Sequence, residues 1–336
     1  MRCFVSILIM VGVLGAEILA ADQRVDVVPQ EQWSNFYGGK EVVLHFSISA
    51  HESFKGVAGW VLSSGGRTLA RGERAVAVEP GRAESLEVRF EAPNVKEGVA
   101  LQGILNVSVF KQDSKGAAGS CEKNLWFFPR DAFAGQKERL KERNINLFDP
   151  EKKTVAVFSK AGIPFNELGN INVFEEVKNG VLIIGEGISF KDYRGLYEAM
   201  IKTAAGGIPV LCLSPAGGDI VLPSADSDLP RPVAMFFKGK EVVRELDKRL
   251  DADAWAPEGK TLSSVIKLRG ERDGIAGEVA KDDNGWPWVE MEFAGKAGNN
   301  GQIRQSRLIV CGFGIIEKWE NGPAPQFLML KLIEKL

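Results

Sequence analysis

The hydrophobic period of the chain changes at Pro129, and that change limits the folds open to it. Before Pro129, apolar and polar residues alternate over short segments separated by turn residues. Val42, Leu44, Phe46 and Ile48 oppose Val43, His45, Ser47 and Ser49, the period of a half-buried strand. Strands are predicted at Lys40–Ala50, Gly56–Ser63, Arg67–Arg71, Ala75–Val78, Ser85–Phe90, Leu101–Phe110 and Ser120–Phe128, with Gly65-Gly66 turning a hairpin. Strands spaced by turn signals, with no helical stretch among them, predict an all-β immunoglobulin-like sandwich over residues 22–130. Trp60 is expected as its central core residue. Cys121 is the sole cysteine of this part, so the inter-sheet disulfide of antibody domains cannot form.

Past Pro129 short apolar runs alternate with helical segments. Asp131 is placed to cap a helix reaching about Arg143. Thr154–Phe158 and Val181–Ile184 read as short buried strands, the second ended by Gly185-Glu186-Gly187. Ser189 with Asp192 resembles a capping box, and the helix behind it places Leu196, Tyr197, Met200, Ile201 and Ala204 on one face before Gly206-Gly207 stops it. Ile208–Leu213 is the next strand, so strand, helix and strand follow in the order of a parallel crossover unit. A helix near Glu241–Leu250, strands near Leu262–Leu268, Trp288–Phe293 and Arg307–Phe313, and a closing helix opened by Pro323 and Pro325 complete the pattern. The expected fold class is therefore two-domain, the sandwich followed by an α/β three-layer, flavodoxin-like domain over residues 131–336.

An apolar run from Cys3 to Leu14 follows Met1 and Arg2 and leads to Leu19-Ala20-Ala21. A basic start, an apolar core and an Ala-rich exit make residues 1–21 a signal peptide, and the run is too short to span a bilayer. Export to the periplasm or the outside is expected, with no membrane contact beyond that segment. In 336 residues, 42 Lys plus Arg nearly cancel 44 Asp plus Glu, so no basic footprint for nucleic acid exists. Cys121, Cys212 and Cys311 are widely spaced with no CxxC pair, which predicts neither a disulfide framework nor a zinc site. Cys212 and Cys311 lie inside apolar runs, where a thiol behaves as a small hydrophobe. His45 and His51 sit six residues apart along a strand, about 20 Å, and cannot share a metal. No metal and no cofactor is expected.

The α/β part contains no histidine, so neither Ser-His-Asp nor Cys-His-Glu chemistry is open to it. Ligands of open α/β sheets sit beyond the carboxyl ends of the strands. Those ends offer Ser159-Lys160, Gly185-Glu186-Gly187, Ser214-Pro215-Ala216-Gly217-Gly218 and Gly312-Phe313-Gly314. Lys160, Glu186 and Ser214 supply polar tips there, and glycines such as Gly217 and Gly218 let backbone approach a ligand. Neither GxGxxG nor GxxxxGK[ST] occurs, so nucleotide binding has no support. Trp286-Pro287-Trp288 puts two indoles on one side of an extended segment, a candidate platform for stacking on sugar rings if exposed. Asn106-Val107-Ser108 has glycosylation-acceptor spacing.

The run Gly207-Ile208-Pro209-Val210-Leu211-Cys212-Leu213-Ser214 resembles the strand that leads to the nucleophile elbow of class I glutamine amidotransferase-like domains. That resemblance puts Ser214 at the nucleophile position and departs from the family at Pro215, which lacks the amide an oxyanion hole would use. A sandwich ending in Asn124-Leu125-Trp126-Phe127-Phe128-Pro129, followed by an α/β part closing in Arg307-Leu308-Ile309-Val310-Cys311-Gly312-Phe313-Gly314, resembles the accessory modules behind the catalytic barrel of bacterial family-2 glycoside hydrolases of the β-galactosidase type. In that family the catalytic glutamates sit in the barrel, and no segment here has its length or eightfold βα pattern. The resemblance thus implies the modules without the enzyme and transfers no catalytic residue.

The expectation is an exported, non-catalytic binding or assembly protein, carbohydrate-associated, whose partner is an envelope protein or a carbohydrate. The alternative is an enzyme with an atypical histidine-free site at Lys160, Glu186 and Ser214. A third role, in which the sandwich holds a protein by strand addition at its edge, also follows from a β-rich first part.

Overall fold

The computed structural model describes residues 24–112, 116–222, 228–256, 259–270, 285–294 and 306–336. The expected signal peptide lies outside them. Period-two alternation builds the first strands: β1 (Val25–Pro29), β2 (Asn35–Tyr37), β3 (Glu41–Ala50), β4 (Phe54–Ser64), β5 (Arg67–Val78), β6 (Ala83–Glu91), β7 (Leu101–Lys111) and β8 (Ala117–Phe128). One sheet runs β1-β3-β6 and the other β2-β8-β7-β4-β5. Val42, Leu44, Phe46 and Ile48 of β3 and Leu86, Val88 and Phe90 of β6 are buried against Ala58, Leu62, Leu105, Val107, Val109, Leu125 and Phe127 of the other sheet, which makes a sandwich core. Gly65 and Gly66, at φ of 54° and 78°, take the left-handed pair that a two-residue hairpin turn needs.

Two sequence expectations change in this part. Arg67–Arg71 and Ala75–Val78 are one strand, because β5 pairs with β4 from Ser64↔Arg67 to Phe54↔Val78 with a single irregularity at Leu62/Ser63. The charges at Glu73 and Arg74 that break its apolar pattern are tolerated because β5 is an edge strand. Trp60 is half-buried and not central. Its ring lies over Gly72, where a Cβ would come within 2.7 Å of it, and tilts against Phe90 at 6.2 Å. The centre of β4 is held instead by Ala58 and Leu62.

The second part comprises α1 (Lys137–Glu142), β9 (Ile145–Phe148), α2 (Lys153–Ala161), β10 (Asn166–Glu167), β11 (Val181–Ile184), α3 (Leu196–Ala205), β12 (Val210–Leu213), β13 (Ile220–Leu222), β14 (Ala234–Lys238), α4 (Val242–Leu246), β15 (Leu268–Gly270), β16 (Trp288–Phe293), β17 (Ser306–Cys311) and α5 (Pro323–Lys335). A seven-stranded sheet runs β10-β9-β11-β12-β17-β16-β14. It is parallel from β10 to β17, and β16 and β14 join it antiparallel. Val181 and Ile183, Leu211 and Leu213, and Ile309 and Cys311 pack on the face shared with α2 and α5, whereas Leu182 and Ile184, Val210 and Cys212, and Leu308 and Val310 pack on the face shared with α3. Both faces are covered, which is why these strands read as unbroken apolar runs.

Thr154–Phe158 is a correction: it lies within helix α2, and the strand before it is β9. Asp149 turns the chain there, its Oδ2 accepting the Val155 N–H at 2.9 Å, and Thr154 and Phe158 then share one buried side at helical spacing. Asp131 caps only a turn, accepting the Phe133 N–H at 2.8 Å, and α1 starts at Lys137. Ser189 likewise accepts from Lys191 in a turn, and α3 begins at Leu196 behind Gly195. Leu262–Leu268 is two isolated bridges, Leu262↔Phe313 and Ile266↔Trp286, and β15 starts only at Leu268.

The cores meet where β8 ends. Phe127 points into the sandwich, and its neighbour Phe128 points into the layer under α5, where it packs on Phe327 at 4.6 Å. Tyr37 donates its hydroxyl hydrogen to the Gly322 carbonyl at 2.8 Å, so the sandwich also grips the start of α5. No helix of the described residues is long and apolar enough to cross a membrane.

Candidate functional site

The carboxyl ends of β11, β12 and β17 open into a crevice of about 620 Å³ lined by Lys153, Glu186, Ser214, Ala216, Ser264 and Glu317, with Val157, Gly187, Ser263 and Ile316. Its position follows from the topology: parallel strands deliver their carboxyl ends to one edge, and the segments leaving them diverge. Glu186 follows β11 and Ser214 follows β12, which brings both to this end of the sheet.

Glu186 is buried. Its backbone N–H donates to Thr154 Oγ1 at 2.9 Å, and its carboxylate accepts the N–H groups of Ile316 at 2.7 Å and Glu317 at 2.9 Å. Burial outweighs those two donors and pushes its carboxyl up to about 7. Gly185 precedes it because any side chain there would meet Asp149, with a Cβ 2.7 Å from the carboxyl carbon. Glu317 at the rim takes a hydrogen bond from Ser263 Oγ that holds its carboxyl below the usual range.

Ser214 is a non-glycine residue at a φ of 29°, a left-handed backbone that costs on the order of 1–2 kcal/mol. Its N–H donates to the Cys311 carbonyl at 2.6 Å, and its carbonyl accepts from Gly187 at 3.0 Å. Its hydroxyl meets Ser264 Oγ at 3.0 Å and the Gly312 carbonyl at 3.4 Å. The backbone next to that hydroxyl offers few donors. Pro215 has no N–H, Ala216 donates to Ile188 at 3.1 Å, and Gly187 donates to Ser214 itself.

The remaining candidates separate from the crevice. Lys160 sits in the last turn of α2, exposed and paired with Glu320 at 2.7 Å, because the segment expected as a strand is a helix. Gly217 bridges to Ser189, and Gly218, at a φ of 96°, lies where a Cβ would be 2.8 Å from Phe190. These glycines pack one loop on another and do not face the cavity. Trp288 is fully buried on the α5 side, and Trp286 packs against Phe237 at 5.7 Å on the α3 side. The bend at Pro287 sends the two indoles to opposite faces, which removes the stacking platform.

Lys153, Ser263, Ser264 and Glu317 were not legible as site residues. The serines arrive because Gly312 and Gly314 leave room for residues 261–264 to cross the end of β17. A Cβ at Gly312 would lie 2.4 Å from the Ser264 carbonyl oxygen, and Ser263 and Ser264 both donate N–H to the Gly312 carbonyl at 3.0 and 3.1 Å. Asp149-Pro150 after an apolar run was the available signal that a helix, and with it Lys153, begins at this edge. Cys212 and Cys311 are buried, and burial raises both thiols, Cys311 to about 12. No group of residues suited to a metal ion occurs among the described residues.

No protein-family model and no curated protein matches the chain. Among solved structures it is similar to a glycosyl hydrolase family 2 member from Bacteroides cellulosilyticus at 10% identity and a TM-score of 0.24, covering 61% of this chain and 36% of that one. A β-glucuronidase 2 from Bacteroides uniformis matches at 8% identity and a TM-score of 0.24, covering 56% of this chain and 33% of that one. A PapD-like domain of human CEP192 matches at 10% identity and a TM-score of 0.22, covering 38% of this chain and 96% of the domain. The chain thus spans well under two thirds of either hydrolase.

Proposed function

We propose that this chain is an exported, two-domain, non-catalytic binding protein that takes a small hydroxyl-bearing ligand, a carbohydrate, in the crevice over Glu186 and Ser214. The observation that carries this reading is the state of Ser214. Among the described residues its hydroxyl reaches another hydroxyl and a carbonyl, and the amides of Gly187 and Ala216 on either side are already bonded. A nucleophile needs a base within hydrogen-bond reach and donors for the oxyanion. What remains is a concave site with convergent hydroxyls and carboxyls on an apolar floor of Val157, Ala216 and Ile316, the lining of a binding pocket.

A thermal-shift and calorimetric screen of the purified chain against mono- and oligosaccharides tests this. A ligand that prefers the folded state raises the midpoint, and Ala216→Phe, which fills the crevice, removes the shift. A screen blank for every saccharide rejects the carbohydrate reading and turns attention to a protein partner of the envelope.

The left-handed backbone at Ser214 favours a second reading, an enzyme without histidine that uses Glu186 and Ser214. Saccharide or ester turnover that is lost in both Ser214→Ala and Glu186→Gln would establish it against the first.

A further inference from the structure

Glu186 is the most buried charged group lining the crevice, and no side-chain cation among the described residues hydrogen-bonds its carboxylate. It is 6% exposed, and the partners of its carboxylate are two neutral backbone N–H groups. The titratable groups around it are Lys153 from α2, Asp149 from the end of β9, Cys311 of β17, and Glu317 and Lys318 from the loop that follows. Lys153 and Lys318 act on it through space, but their bonded partners are Glu151 at 2.6 Å and Glu317 at 3.3 Å. Each Glu186 oxygen accepts one N–H and keeps a further lone pair for a ligand.

We propose that the crevice selects a ligand bearing a protonated amine, an amino sugar, whose ammonium pairs with the Glu186 carboxylate while its hydroxyls meet Ser214, Ser263 and Ser264. This rests on the binding reading above and names the ligand class within it. The physical reason is desolvation. A buried carboxylate with no cation bonded to it is held at a cost that a ligand ammonium lowers, and a charge-assisted hydrogen bond is about twice as strong as a neutral one. A neutral sugar leaves that cost in place. Burial already pushes the Glu186 carboxyl up to about 7, so the pairing requires a proton to leave it.

Calorimetric titration of the full chain with 6-amino-6-deoxy-D-glucose and with D-glucose, at pH 6, 7 and 8, tests the proposal. The alkyl ammonium stays charged over that range while Glu186 ionises. Affinity for the amine is therefore expected to rise about tenfold from pH 6 to pH 8, and affinity for glucose is not. At pH 8 the amine is expected to bind at least about tenfold tighter than glucose. Glu186→Gln removes both the preference and the pH dependence. The wild-type pH series stands by itself if that variant folds poorly. Equal affinity for the two sugars, or an amine affinity flat with pH, overturns the ammonium pairing and leaves the binding reading intact. Heat from neither sugar overturns the pairing too, and a blank across the whole saccharide panel overturns the binding reading with it.

Discussion

Asn35 and Asp251, 216 residues apart in the chain, are joined by a hydrogen bond of 2.9 Å from the Asp251 N–H to the Asn35 side-chain oxygen. The Asn35 amide also donates to the Arg249 carbonyl at 2.7 Å, and Asp251 Oδ2 accepts the Ser34 N–H at 2.6 Å. One side chain from the short strand β2 thereby satisfies the backbone that follows α4. Both residues are buried, so the contact has no water to replace it.

Asn35→Ala is expected to lower stability by on the order of 2–4 kcal/mol, because it leaves a buried N–H and a buried carbonyl unsatisfied at once. Urea unfolding of the variant measures this. A loss under about 0.5 kcal/mol would show that solvent reaches the junction.

Stability is expected to fall as pH rises from 3.8, the ordinary value for Asp251, to about 7, the raised value of Glu186. Glu186 goes from the ordinary 4.5 to about 7 in the fold, and Asp251 from 3.8 to about 6, both by burial. The folded state therefore holds protons that the unfolded chain has released, and raising the pH favours the unfolded side by on the order of 2–3 kcal/mol at most for Glu186. The depressed carboxyls Asp247 and Glu317 act the opposite way, their contributions being lost as pH falls below the ordinary values of 3.8 and 4.5. Unfolding midpoints across pH 4 to 8 check the slope, and Glu186→Gln should reduce it to the share that Asp251 contributes.

Ser214→Gly and Ser214→Ala both remove the hydroxyl, and only the first relieves the backbone at φ 29°. The glycine variant is expected to be the more stable of the two by up to about 1 kcal/mol, the relief being partly offset by the greater freedom of an unfolded glycine. Equal midpoints would mean that the backbone relaxes without strain once the side chain is gone.

Gly312→Ala is expected to weaken ligand binding and to destabilise by about 1–3 kcal/mol, the range for forcing atoms into a packed site. The new Cβ would stand 2.4 Å from the Ser264 carbonyl oxygen and push Ser263 and Ser264 off the crevice. Lys160→Ala is the matching control. Its ion pair with Glu320 is solvent-exposed, and neither the midpoint nor ligand affinity should change.

Local pattern determined much of this protein. The alternation of Val42, Leu44, Phe46 and Ile48 specifies a strand with one buried face whatever its partner, and the apolar runs at Val181–Ile184 and Val210–Leu213 specify strands covered on both faces. That Glu186 and Ser214 stand at strand carboxyl ends was legible because a polar residue just past such a run leaves the end of a strand. Thr154–Phe158 was misread because five residues of mixed β-branched and apolar character fit either period, and the deciding bond, Asp149 to Val155, lies partly outside that window. Tertiary structure alone decided the rest. Which residues cross the end of β17, and so bring Ser263 and Ser264 to Ser214, depends on the space left at Gly312 and Gly314 by contacts about fifty positions away. The opposite burial of Trp286 and Trp288 depends likewise on a bend at Pro287 and on two separate cores. Periodicity reports which side of an element is apolar; the order in which distant elements stack, and the crevice between them, follows from packing that no local window contains.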